Sequence, residues 1–199
     1  MNFPETWTER WPFLQAFEED WDTVPRIGLY AWFVFYGLFL YQAMRGNGFL
    51  LMIDLVFVPI HEGGHLLFRF FGEFLSIAGG TFLQLFVPLA LAFYFARERK
   101  VQGTAFCTFF FFEQFLPIAT YMGDARAQDL PLLTVGDGEG VIHDWNYLFG
   151  KLGVLEHDTQ IAATVRWIGW MGMLATLGWL AYRGFSRQAA DSQPSSAMR

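Results

Sequence analysis

An all-α fold, a polytopic bundle of about five transmembrane helices, is predicted by three observations. The 199 residues are 54% hydrophobic and 16% charged, against about 25% charged in a typical soluble domain. The apolar residues fall into five runs, each of about the length that crosses a hydrocarbon core of roughly 30 Å as a helix. Turn-forming or charged stretches separate the runs, and only one of these is long.

Residues 1–26 mix Trp7, Trp11, Phe13, Phe17 and Trp21 with Glu5, Glu9, Glu18, Glu19, Asp20 and Asp22. Aromatic residues at near-helical spacing among acids suit a segment lying at the membrane interface. It has no basic start or small-residue cleavage site, so a signal peptide is not expected. Ile27 to Met44 has no charged residue and is the first expected span, closed by the turn Arg45-Gly-Asn-Gly48. The second covers Phe49 to Phe71, with Asp54 and Arg69 as charges, and Gly72-Glu73 ends it. The third covers Leu75 to Phe95, with Gly79-Gly80, Gln84 and Pro88 inside. A basic loop, Arg97 to Lys100, leads to the fourth, Val101 to Met122, with Glu113-Gln114 near its middle. Residues 123–160 are polar, and the fifth span is Ile161 to Tyr182.

The chain thus divides into an interfacial segment (1–26), a membrane domain (27–184) with 123–160 as a loop, and a Ser/Gln/Ala-rich tail (185–199) expected to be disordered. Five spans place Arg45, the Arg97–Lys100 loop, Arg183 and Arg187 on one side. The positive-inside rule makes that side cytoplasmic and puts 123–160 on the outer face. A bacterial inner membrane is the expected location. A net charge of −6 gives nucleic-acid binding no electrostatic support. The single cysteine, Cys107, excludes an intramolecular disulfide.

The second span carries His61-Glu62-Gly63-Gly64-His65 behind the apolar run Leu55 to Ile60. Positions i and i+4 share a helix face, so both imidazoles can meet one metal ion, with zinc the usual occupant. Glu62 lies on the adjacent flank as general base toward a water at the metal. The structural alternative pairs these groups with a neighbouring helix and uses the glycines for close packing. Three ionisable groups in five residues of an apolar segment favour a functional site.

A catalytic zinc takes a third protein ligand. The candidates, in order of expectation, are Asp124, His143 and Glu113. Asp124 lies just past the fourth span, and His143 lies in the loop. Glu113 matches the depth of His61 in a span running the same way. Each has a structural alternative. Asp124 suits a helix cap, and Glu113 suits a hydrogen bond to Gln84 across the bundle. His143-Asp144 suits an ordinary loop pair, or Asp144 an orienting partner of a metal-bound His143. Asp54, two turns before His61, suits a polar interior. Arg126 suits an oxyanion contact or, more simply, a surface salt bridge. His157-Asp158 suits a solvated helix start, and Gly136-Asp-Gly-Glu-Gly140 a flexible turn.

The run His61-Glu-Gly-Gly-His65, then Arg69, Gly72 and Gly79-Gly80 leading into an apolar helix with Gln84 and Pro88, resembles the site-2 protease family (M50 type) of intramembrane zinc metalloproteases over roughly residues 49–95. The resemblance implies His61 and His65 as zinc ligands and Glu62 as base for peptide hydrolysis at membrane depth. That family draws its third ligand from a Leu-Asp-Gly motif on a later span. Here Gly123-Asp124-Ala125 is the nearest analogue, and the accompanying Asn-x-x-Pro stretch is absent.

The expected function is a membrane-embedded zinc metallopeptidase acting on a membrane protein or peptide. The alternatives are a zinc-dependent lipid or other hydrolase on the same site, and a non-catalytic metal-binding subunit of a membrane complex.

Overall fold

The computed structural model describes residues 21–46, 51–130 and 142–191, and no strand occurs among them. The elements are α1 (Arg26–Arg45), α2 (Leu51–Phe68), a 3-10 turn (Arg69–Phe71), α3 (Glu73–Arg97), α4 (Val101–Glu113), α5 (Phe115–Gly123), α6 (Asp144–Leu152), a second 3-10 turn (Leu155–His157) and α7 (Asp158–Asp191). The expectations for residues 1–20, for Gly136 to Gly140 and for residues 192–199 lie outside the described residues.

Three segments are long and apolar enough to cross a membrane: α1, α3, and Val101–Gly123, which joins α4 to α5. Their outward faces expose Val34, Leu38, Phe86 and Phe93. A contiguous apolar exterior of this kind suits hydrocarbon, not water, and makes this a chain for membrane association.

The expected fourth span is broken at Gln114, where α4 ends and α5 begins. Pro117 has no N–H to close a bond on the Glu113 carbonyl, which accounts for the interruption. The Gln114 carbonyl accepts from Ile118 instead (3.2 Å). The polar segment is also more structured than a loop, because it builds α6. Trp145, Leu148, Phe149 and Leu152 stand at i, i+3, i+4 and i+7, which gives a short apolar stripe. Gly153, with φ +70°, ends that helix, and Val154 donates back to the Phe149 carbonyl (3.0 Å). At the other end of the chain, α7 runs to Asp191, into the segment expected to be a disordered tail.

One core joins α1, α4 and α7 through Leu29, Tyr36, Phe109, Met173 and Leu180. Tyr36 lies against Phe109 with ring centroids 4.6 Å apart. A second core joins α5, α6 and α7 through Ile118, Met122, Phe149 and Ala162. It seats α6 beside α2 and α3. Those two helices approach with almost no side chain between them. A Cβ on Gly64 would collide with the Gly79 carbonyl, and one on Gly79 would lie 2.7 Å from the Gly64 carbonyl oxygen. Small residues permit backbone contact of this kind in apolar bundles.

Candidate metal centre

Helix α2 presents His61 and His65 one turn apart on the face that meets α3, with ring centroids 4.7 Å apart. Each imidazole is held by its Nδ1. In His65 that atom lies 2.9 Å from the carbonyl oxygen of Ser76. A carbonyl only accepts, so Nδ1 carries a proton, and in the neutral ring Nε2 keeps the lone pair. In His61 the Nδ1 lies 2.9 Å from Gln84 Oε1, which has the same consequence. Ser76 Oγ also donates to the His65 carbonyl (3.1 Å), tying the two helices at this level.

The two Nε2 atoms face a third acceptor. Asp144 Oδ2 lies 3.0 Å from His61 Nε2 and 3.4 Å from His65 Nε2. Atoms held about 2.0–2.2 Å from a tetrahedral zinc stand roughly 3.3 Å apart, so these separations fit one shared ion. His61, His65 and Asp144 form a group that could hold a metal ion, their donor atoms all within 4.8 Å of one another.

The room for an ion comes from α3. A Cβ built on Gly80 would lie 2.6 Å from His61 Nε2 and 2.7 Å from both Cε1 and Nε2 of His65. Any residue larger than glycine would fill the space where the two donor atoms converge. Glu62 is half-buried beside this centre, close enough for its charge to act on both His65 and Tyr121.

Asp144 joins the two histidines, whereas Asp124 and His143, the leading third-ligand expectations, face each other instead. His143 Nε2 stands 3.4 Å from Asp124 Oδ2, and both residues are buried. The Asp124 carboxylate accepts from the backbone N–H groups of Asp129 (2.9 Å) and Leu130 (3.1 Å). His143 is the N-cap of α6, its Nδ1 accepting from the Asn146 N–H (3.2 Å). With Nδ1 used as an acceptor, the His143 proton sits on Nε2, toward Asp124. These two residues therefore anchor the start of α6, and Asp144 is its first residue. The Asp144 N–H donates to Tyr121 Oη (3.1 Å), Asn146 Nδ2 donates to the Ala125 carbonyl (2.8 Å), and Tyr147 Oη donates to Glu73 Oε2 (2.8 Å).

The cap gives the first prediction. Losing a capping bond costs about 1 kcal/mol. His143→Ala should therefore weaken metal affinity about fivefold by loosening Asp144, with both imidazoles left in place. Competition against a chromophoric chelator measures this, and an unchanged affinity would remove His143 from the anchoring role.

The remaining candidates lie elsewhere. Glu113 is fully buried and accepts from Gln114 Nε2 (2.7 Å). Arg126 is committed to Asp158, Nη2 to Oδ1 at 2.8 Å, and to Glu156 at 3.4 Å. That pairing holds the Asp158 carboxyl below its usual range. His157 pairs with Gln160 (2.9 Å). Asp144 was legible in the sequence only as a partner for His143. Its one local signal was its place at the head of an amphipathic helical pattern.

No family model, no curated protein and no solved structure matches this chain.

Proposed function

We propose that this chain is a membrane-embedded zinc metallopeptidase of about five spans, with α2 and α7 crossing the bilayer beside the three longer apolar segments. A bacterial inner membrane is its place, and a membrane protein or peptide its substrate. One observation carries the metal reading. Three ligand atoms, His61 Nε2, His65 Nε2 and Asp144 Oδ2, converge, and in the neutral rings both Nε2 atoms carry lone pairs because both Nδ1 atoms are committed to oxygen acceptors. Lone pairs brought together in a half-buried site repel unless a cation lies between them.

Two imidazoles and a carboxylate are a donor set for catalytic zinc, which leaves a fourth position open. Bound there, zinc supplies Lewis acidity toward a scissile carbonyl and lowers the pKa of a water to about 7. Glu62 takes the proton from the attacking water and passes it to the leaving amine. Ser76 and Gln84 hold the imidazoles in the tautomer that frees both Nε2 atoms. Tyr121, which accepts the Asp144 N–H, holds that carboxylate at the centre.

The deciding experiment uses detergent-purified protein, wild type beside Glu62→Gln, with metal content and hydrolysis of a transmembrane peptide measured on the same samples. About one zinc per chain in both is expected, with turnover reduced about 100- to 10,000-fold in the variant, the usual contribution of a general base. Full peptide turnover without Glu62 would end the peptidase mechanism. Turnover of a lipid ester in place of the peptide would move the chemistry to another hydrolase.

A further inference from the structure

We infer that Gln114, Glu113 and Asp54 are positioning residues that set the tautomer of His61 from outside the metal centre, acting through Gln84. This inference rests on the metal reading above, and it concerns a part of the bundle that holds no metal donor.

The two imidazoles are not held alike. His65 faces a backbone carbonyl, whose chemistry cannot be reversed. His61 faces a side-chain amide, whose oxygen and nitrogen exchange places by a half-turn about one bond. Were Gln84 turned the other way, its NH2 would donate to His61 Nδ1. The proton of His61 would then sit on Nε2, and that atom could not ligate. Something must hold the amide in one sense.

The next contacts do so. Gln84 Nε2 lies 2.7 Å from Gln114 Oε1. Gln114 Nε2 lies 2.7 Å from Glu113 Oε2 and 3.4 Å from Asp54 Oδ1. Two carboxyl groups thus converge on one NH2, which has one hydrogen for each. With its nitrogen so placed, Gln114 turns its oxygen to Gln84. Gln84 must then spend its NH2 on Gln114 and turn its own oxygen to His61. Each bond fixes the sense of the next, from the carboxyl groups to the metal side of the imidazole.

Burial makes the line strict. Gln114 and Glu113 are fully buried, Asp54 is 3% exposed and Gln84 is 9% exposed. Asp54 comes from α2, Gln84 from α3, and Glu113 and Gln114 from the break between α4 and α5. Little exposed surface remains at this level to satisfy a reversed amide. A flip at Gln84 alone would set its NH2 against the His61 Nδ1 proton and its oxygen against Gln114 Oε1.

The test uses the full chain with 15N-labelled histidine, in detergent and free of metal. His61 is assigned by difference against His61→Ala. Wild-type protein is expected to show His61 with a protonated Nδ1, the state that Gln84 Oε1 requires. Gln114→Leu should show a mixture of tautomers at His61, with His65 unchanged. It should also bind zinc about 10- to 100-fold more weakly, the usual consequence of losing an outer hydrogen-bond partner. The double variant Gln84→Glu/Gln114→Leu should restore both readouts, because a carboxylate accepts through either oxygen and needs no outer partner to orient it. A merely structural Gln114 would not be rescued in this way. A Gln114→Leu protein with the wild-type tautomer, or a double variant no better than the single, overturns the inference. The tautomer is read without metal. A wild type that binds no zinc but keeps the protonated Nδ1 would therefore sink the metal reading alone.

Discussion

Asp144→Ala is expected to release the metal ion from a chain in which Asp124→Ala retains it. Asp144 supplies one of three converging donors, with Oδ2 at 3.0 and 3.4 Å from the two imidazole nitrogens. Removing an outer partner of a ligand already costs about 10- to 100-fold in affinity, so removing a donor should exceed about 100-fold. Alanine at the first position of α6 is a good helix former, and the His143 cap and the Leu148 and Phe149 contacts remain. The folded bundle should therefore persist. Asp124, by contrast, accepts two backbone N–H groups and faces His143. Its loss should loosen the segment after α5 and lower affinity by far less. Metal content after dialysis against a weak chelator, measured side by side, separates the two. Equal retention in both variants would remove Asp144 from the centre, and metal loss confined to Asp124→Ala would restore the order expected from sequence.

Gly80→Ala is expected to abolish both metal binding and turnover. The added methyl would stand 2.6–2.7 Å from three imidazole atoms, including both Nε2, and neither ring can retreat without giving up its Nδ1 bond to Gln84 or Ser76. Helix propensity runs the other way, since alanine is favoured over glycine in a helix interior by about 1 kcal/mol. A generally destabilised α3 is therefore not the expected cause of the loss. Gly63→Ala is the matched control. Its Cβ would meet only Leu83 Cδ2, at an ordinary 3.8 Å, and it should keep its metal. Zinc content of the two purified variants checks the pair. A metal-loaded Gly80→Ala protein would show that the two histidines do not converge beside Gly80.

The part of this protein that is legible in sequence is the part set by short-range periodicity. Run lengths of apolar residues anticipated the bounds of α1 and α3 to within about two residues, because a helix long enough for hydrocarbon needs little from its neighbours. The i, i+4 spacing placed His61 and His65 on one face for the same local reason. The burial of Asp54 was also readable, since an acid two turns before His61 shares its side of the helix. The interruption at Gln114 was not anticipated, although Pro117 stands three residues on.

Tertiary structure decided which carboxylate completes the group. Asp144 lies 83 residues from His61, and it shares one polar segment with Asp124 and His143, on which the expectation fell, with Asp144 only as a partner of His143. No local pattern ranks them. The choice follows from the seating of α6 against α3 and α5, which turns its first residue toward α2 and uses Asp124 and His143 as the anchor. Tertiary structure likewise made an outer line of Gln84, Gln114, Glu113 and Asp54, because the sense of each hydrogen bond depends on groups from three helices at once. Sequence by itself determined a membrane-type helical chain with a pair of imidazoles on one helix face, since both follow from spacing along one stretch of backbone. The third donor and the tautomer that readies His61 follow from contacts between distant residues, which only the packed bundle creates.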